Sequence, residues 1–218
     1  TKEEMLITKT KIETGIGERS KVTLPDGSTV WVNACSSITF DNTFGNEIRM
    51  VSLQGEAYFD VQTDSLKPFL VHTDHFTHRV TGTSFNVYSF SDEDKTSIAL
   101  LEGGVTMEYG TAKEKLYPGE MFSYNKKTGK GYREKINVTH IATWRHGEFT
   151  FDNRRFEELV KRLERTLDVQ FVFENKHITQ ERFGGTLRDN YSLDMILKVI
   201  KTSIPIRYKE NGNQVIIY

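Results

Sequence analysis

The chain has 218 residues, 37% hydrophobic and 11% aromatic, and its 29 Lys and Arg against 30 Asp and Glu leave a formal net charge of -1. That composition describes folded protein with apolar mass for one large or two modest cores, and it excludes a disordered chain. A near-neutral balance lacks the basic field that phosphate backbones need, so nucleic acid is excluded as a partner.

The single Cys35 has no second thiol to pair with and does not indicate a redox compartment. No stretch approaches the roughly 20 apolar residues needed to cross a bilayer.

From Val22 to Val138 the apolar residues alternate in short runs, and no helical periodicity exceeds a turn. Val22 and Leu24 lead into Pro25-Asp26-Gly27-Ser28, and Val30 with Val32 resume the alternation, the pattern of a β-hairpin. Further strands are predicted over 48–53, 57–61, 68–72, 79–81, 85–90, 96–101, 105–109, 114–117 and 121–124. That many short strands bury themselves in a distorted β-solenoid or a sandwich, and Gly55, Gly82, Gly103 and Gly119 mark bends beside them. Residues 125–138 are polar and turn-rich, and a domain boundary is expected near 143, giving domains of 1–142 and 143–218.

The second domain carries an internal repeat. Asp152-Asn153 recurs as Asp189-Asn190, and Phe156, Leu159, Val160, Leu163, Val169 and Phe171 recur as Leu193, Ile196, Leu197, Ile200, Ile206 and Tyr208, every pair 37 residues apart. Each copy reads as an amphipathic helix followed by a strand, and two such copies bury their faces together in a small α+β domain. The predicted order is a strand over 148–151, a helix from an Asn153 cap to 167, strands over 169–174 and 183–187, a helix from a Ser192 cap to 202, and a strand over 204–209. Asn211-Gly212 then turns the chain into a last strand, 214–218.

Motifs with chemical potential are few. His72, His75 and His78 read as part of an extended segment, where His72 and His78 share one face and His75 the other, so they do not converge on a metal. Gly15-Ile16-Gly17 and Gly103-Gly104 precede no amphipathic helix that would hold a phosphate, and no nucleophile elbow follows a strand. Asn137-Val138-Thr139 has the pattern of a glycosylation triplet and carries little weight. Hence no enzyme activity, metal or cofactor is expected. Trp31, Tyr58, Phe59, Phe85 and Tyr88 suggest an alternative function, a stacking surface for a glycan or metal chelate, although alternation sends about half of them inward.

Several of these segments occur together, in order, in one family. Val22-Thr23-Leu24-Pro25-Asp26-Gly27-Ser28, Leu53-Gln54-Gly55-Glu56-Ala57, Val80-Thr81-Gly82-Thr83-Ser84-Phe85, Leu101-Glu102-Gly103-Gly104-Val105 and Tyr117-Pro118-Gly119-Glu120 strongly resemble the FecR family of transmembrane anti-sigma regulators. The C-terminal repeat, with Phe149-Thr150-Phe151-Asp152-Asn153, is similar to the domain that follows FecR in Bacteroidetes members and to the short N-terminal signalling domain of secretins and TonB-dependent receptors. The resemblance implies the periplasmic sensor part of a single-pass inner-membrane protein, with its anchor upstream. It also implies two partners: the signalling domain of an outer-membrane TonB-dependent receptor, and an extracytoplasmic-function sigma factor held by a cytoplasmic segment outside this sequence. No catalytic residue is implied.

Two features suggest where a partner docks. Gln214, Val215, Ile216, Ile217 and Tyr218 form an apolar terminal strand, which as a sheet edge would accept a partner's strand; as a central strand it would already be paired on both sides. Arg154, Arg155 and Arg162, with Lys161 and Arg165, form a basic stripe that would tune specificity.

Overall fold

The computed structural model describes residues 6–218. Within it the chain parts into two compact units, Arg19–Ile141 with the chain up to Gly15, and Ala142–Tyr218 with Ile16–Glu18.

The first unit is one 13-stranded sheet curled into a half-barrel. Its strands are β1 (Lys9–Glu13), β2 (Ser20–Thr23), β3 (Thr29–Val32), β4 (Ser37–Asp41), β5 (Arg49–Val61), β6 (Phe69–His72), β7 (Thr77–Val80), β8 (Thr83–Ser89), β9 (Lys95–Glu102), β10 (Val105–Tyr109), β11 (Ala112–Leu116), β12 (Glu120–Asn125) and β13 (Lys130–Lys135). The main path runs β11-β10-β7-β6-β5-β8-β9-β12-β13.

Strand β5 is the spine of this unit. Its first half pairs with β4 and β6 and its second with β3 and β8. Sequence reasoning had divided this strand at Gly55, but the chain stays extended through it. Gly55 sits at φ +100, and a Cβ there would lie 2.2 Å from Ser36 Oγ. Only glycine lets Ser36 come that close, and the Ser36 hydroxyl accepts the Glu56 N–H at 2.9 Å. The predicted hairpin forms as β2 and β3. Strands β1 and β13 escaped prediction because their residues are largely polar and exposed, and β4, Ser-Ile-Thr-Phe-Asp, because its buried Ser37 and Ile38 are neighbours and break the alternation.

The concave face holds the core, including Phe59, Phe69, Phe85, Ile98, Leu100, Met107 and Leu116. A buried ion pair ties its loops together. Arg49, 2% exposed, donates to Asp26 Oδ2 at 2.9 Å and to the carbonyls of Lys67 at 2.7 Å and Gln62 at 2.8 Å. Asp26 in turn accepts the Ser28 N–H and hydroxyl at 2.9 and 2.7 Å, closing the hairpin turn.

The second unit is α+β, as expected. It contains β14 (Glu148–Arg155), α1 (Phe156–Leu167), β15 (Gln170–Phe173), β16 (Arg182–Arg188), α2 (Leu193–Lys201), β17 (Tyr208–Asn211) and β18 (Gln214–Ile217). The two helices begin at the repeat partners Phe156 and Leu193, and strand-helix-strand order recurs in both copies. Each copy buries its helical stripe: Phe156, Leu159, Val160 and Leu163 in α1, and Ile196, Leu197 and Ile200 in α2. β14 pairs antiparallel with β16, and β15 and β17 run in opposite directions on either side of β18.

Ser192 caps α2 as predicted, its hydroxyl accepting the Met195 N–H at 3.2 Å. Asn153 does not cap α1. It lies inside β14 at φ +49, where the register slips between Phe151 and Arg154. The first N–H of the helix, that of Phe156, is instead accepted by the Glu181 carbonyl at 2.7 Å. At the other end Gly17 donates its N–H to the Arg165 carbonyl at 2.8 Å.

Candidate docking surface of the second unit

The hydrogen-bond ladder decides which backbone groups of the second unit remain available to a partner. β18 has β15 on one side, in parallel register Gln170↔Gln214 to Phe173↔Ile217, and β17 on the other. Even Tyr218 is engaged, exchanging hydrogen bonds with Arg207 at 2.9 and 3.2 Å. The terminal strand is thus central. The expectation of an open edge at Gln214, Val215, Ile216, Ile217 and Tyr218 is corrected: an apolar alternating strand at a chain end suits a sheet centre equally well, and long-range pairing chose the centre.

The edges of this three-stranded sheet are β15 and β17. β17 is polar and mostly exposed, whereas β15 reads Gln-Phe-Val-Phe with Val172 41% exposed. Gln170 and Glu174 donate to the carbonyls of Asn213 and Ile217 at 2.8 and 2.9 Å, so the backbone groups of Phe171 and Phe173 point away from β18. The Phe171 N–H is met by Glu164 Oε1 of α1 at 2.9 Å. A carboxylate on an outward N–H blunts the edge, one of the ways sheets discourage indiscriminate pairing. Sequence reasoning missed this edge because four residues beside a helix do not announce which strand lies outermost.

The basic residues do not form a single field. Arg154 lies on β14 opposite Phe183, and Arg155 precedes α1 with a guanidinium 3.5 Å from Glu157. Arg162 lies half-buried on α1, near a Lys161–Glu164 pair at 3.5 Å. Acidic and basic side chains therefore alternate around the helix, a surface for selective recognition more than for long-range attraction.

The other candidates dissolve on inspection. His72 faces outward with its ring against the Thr77 hydroxyl, whereas His78 is 2% exposed in the core. The parity that put them on one face fails because a turn at Thr73–Phe76 interrupts the extended chain. Among the described residues no cluster of three His, Cys, Asp or Glu is placed to hold a metal. Of the proposed stacking aromatics, Phe59 and Phe85 stack on each other at 5.1 Å inside the core, Tyr58 and Tyr88 are buried, and Trp31 alone is half-exposed. They offer no platform to a sugar.

Residues 10–106 match the family model described as FecR protein, and residues 148–217 match the model described as FecR, C-terminal. Two crystal structures, each described as a "putative anti-sigma factor from Parabacteroides distasonis ATCC 8503", at 2.50 and 1.65 Å resolution, superpose with a TM-score of 0.90 at 28% identity. The match covers 97% of this chain and 99% of the other in the first, and 96% and 98% in the second. Among curated proteins no match is found. No helix among the described residues is long and apolar enough to cross a membrane.

Proposed function

Because the chain belongs to the FecR family, we propose that it is the sensor part of an anti-sigma regulator, acting through protein contact and without catalysis. The observation that carries this reading is the match of both units, over nearly their whole length, to a structure described as a "putative anti-sigma factor". In this reading the chain is periplasmic and held to the inner membrane by an upstream segment. The signalling domain of a TonB-dependent receptor engages it, and a cytoplasmic segment holds the sigma factor.

The docking site we propose is the β15 edge together with the face of α1 that carries Lys161 and Arg162; Arg154 and Arg155 at the end of β14 add further cations. A strand of the receptor domain would displace the Glu164 carboxylate and pair with Phe171 and Phe173. Isothermal titration of the chain with the signalling domain of a receptor encoded beside it tests this. Binding without sugar or metal, weakened at least tenfold by Val172→Asp in a variant with native circular dichroism, is the expected result. No binding would remove the relay reading, and unchanged affinity of Val172→Asp would remove β15 as the site.

A further inference from the structure

The core of the first unit contains one group that does not belong in an apolar core. His78 of β7 is 2% exposed, and neither ring nitrogen has a hydrogen-bond partner. It lies beside a small space lined by Phe76, Thr96, Ser97, Ile98, Met107 and Phe122, with its ring stacked on Phe76 at 5.8 Å.

Register shows how the curled sheet closes around it. On one flank Val71, His78, Met107 and Glu114 are successive cross-strand neighbours from β6 to β11, and on the other Val87, Ile98, Phe122 and Arg133 run from β8 to β13. The two ends meet where Arg133 donates to Glu114 Oε2 at 3.0 Å and to the Lys115 carbonyl at 2.7 Å. β11 and β13 are thus held by side chains where the barrel lacks a ladder.

We propose that His78 is an acid-sensitive latch of the first unit: the sheet closes only around a neutral imidazole, and acidification opens its β7-β10-β11 end. The groups around the ring offer a cation no compensation. Glu114 of β11 is engaged by Arg133, whose second nitrogen lies 3.6 Å from Glu120 of β12. Tyr109 of β10 and Tyr124 of β12 present neutral rings, β6 presents Val71, and β9 presents Thr96 and Ile98. Asp74 and His75 belong to the turn before β7, and His72 on β6 adds repulsion.

Burial, with a smaller contribution from His72, pushes the His78 ring from its ordinary 6.5 down to about 3. A base depressed in the folded state is neutral there while the unfolded chain takes up a proton, so stability is full above 6.5 and declines as pH falls from 6.5 toward 3. The folding constant is then about 25-fold lower at pH 5 than at pH 7 from this residue alone.

Urea unfolding of the full chain at pH 7 and pH 5, followed through Trp31 fluorescence in a Trp144→Phe background, tests the latch. Wild type is expected to lose that factor, while His78→Leu loses only what the other five histidines and the carboxylates contribute. Equal pH ratios in wild type and a folded variant would overturn the proposal. His78→Met provides a second variant of similar volume. If neither folds, the imidazole carbon resonance of His78 in wild type decides: no titration above pH 5 supports the latch, and a midpoint near 6.5 in the native fold refutes it.

Discussion

Replacing Asp26 should unfasten the first unit more than its position in a surface turn suggests. Its carboxylate is ion-paired with Arg49 at 2.9 Å, and the Arg49 side chain is 2% exposed while that of Asp26 is 13% exposed; the nearby Asp64 carboxylate also feels the Arg49 charge. Removing one partner of a buried pair leaves an uncompensated charge, at about 3–5 kcal/mol. Three effects adjust that figure. Backbone carbonyls of Lys67, Gln62 and Asp64 still accept from Arg49, which lowers the cost; the partial exposure of Asp26 lowers it further; and loss of the two Ser28 hydrogen bonds adds about 1 kcal/mol. Asp26→Ala should therefore cost about 3–4 kcal/mol. Asp26→Asn keeps the shape and part of the turn, and should cost about 2 kcal/mol. Arg49→Lys should not substitute for wild type, because an ammonium cannot reproduce the guanidinium fork that reaches Asp26 and the carbonyls together. Urea unfolding read through Trp31 fluorescence in a Trp144→Phe background gives the differences. A loss below 1 kcal/mol for Asp26→Ala would show that the carbonyls alone satisfy Arg49 and would refute the charge argument.

Three other perturbations have definite outcomes. Ile216→Pro should unfold the second unit, since β18 is paired on both sides and proline removes a ladder donor at about 3 kcal/mol or more; a folded variant by circular dichroism would contradict the central placement. Gly17→Val should destabilise by about 2 kcal/mol, because Gly17 sits at φ +69 with its Cβ position 3.0 Å from the Thr166 carbonyl, and faster hydrogen exchange in the last turn of α1 should accompany the loss. Gly55→Ala should lower the melting temperature of the first unit, as its methyl would stand 2.8 Å from Ser36 Cα, backbone that a rotamer change cannot move; an unchanged melt would show that β5 can shift as a whole.

Much of the fold was legible because it repeats or alternates. The 37-residue repeat located both helices, most of their buried stripes and the strand after the first, since amphipathic periodicity records which face each helix must bury; the strand expected over 204–209 forms instead at Tyr208–Asn211. The hairpin at Pro25-Asp26-Gly27-Ser28 was legible because turn chemistry is local. Position within the sheet was not. Nothing in Gln214–Ile217 records that β15 and β17 lie on either side of it, and the edge at β15 exists only because other strands paired elsewhere. Asn153 illustrates the same limit at smaller scale: an N-cap residue type before a helical stripe became a left-handed residue in a bulge because the β14-β16 ladder extended past it.

The sequence by itself determined the class of each unit, the family, and the absence of a basic field for nucleic acid, because composition, periodicity and turn residues act over a few neighbouring positions. Tertiary structure decided which strand is central, which edge is open and blunted by Glu164, and that Arg49 and His78 lie in the core, one fully partnered and the other with no hydrogen bond. Those outcomes depend on pairing between residues far apart in the chain. A charged or titratable side chain acquires its partner, or loses its water, only when the sheet closes.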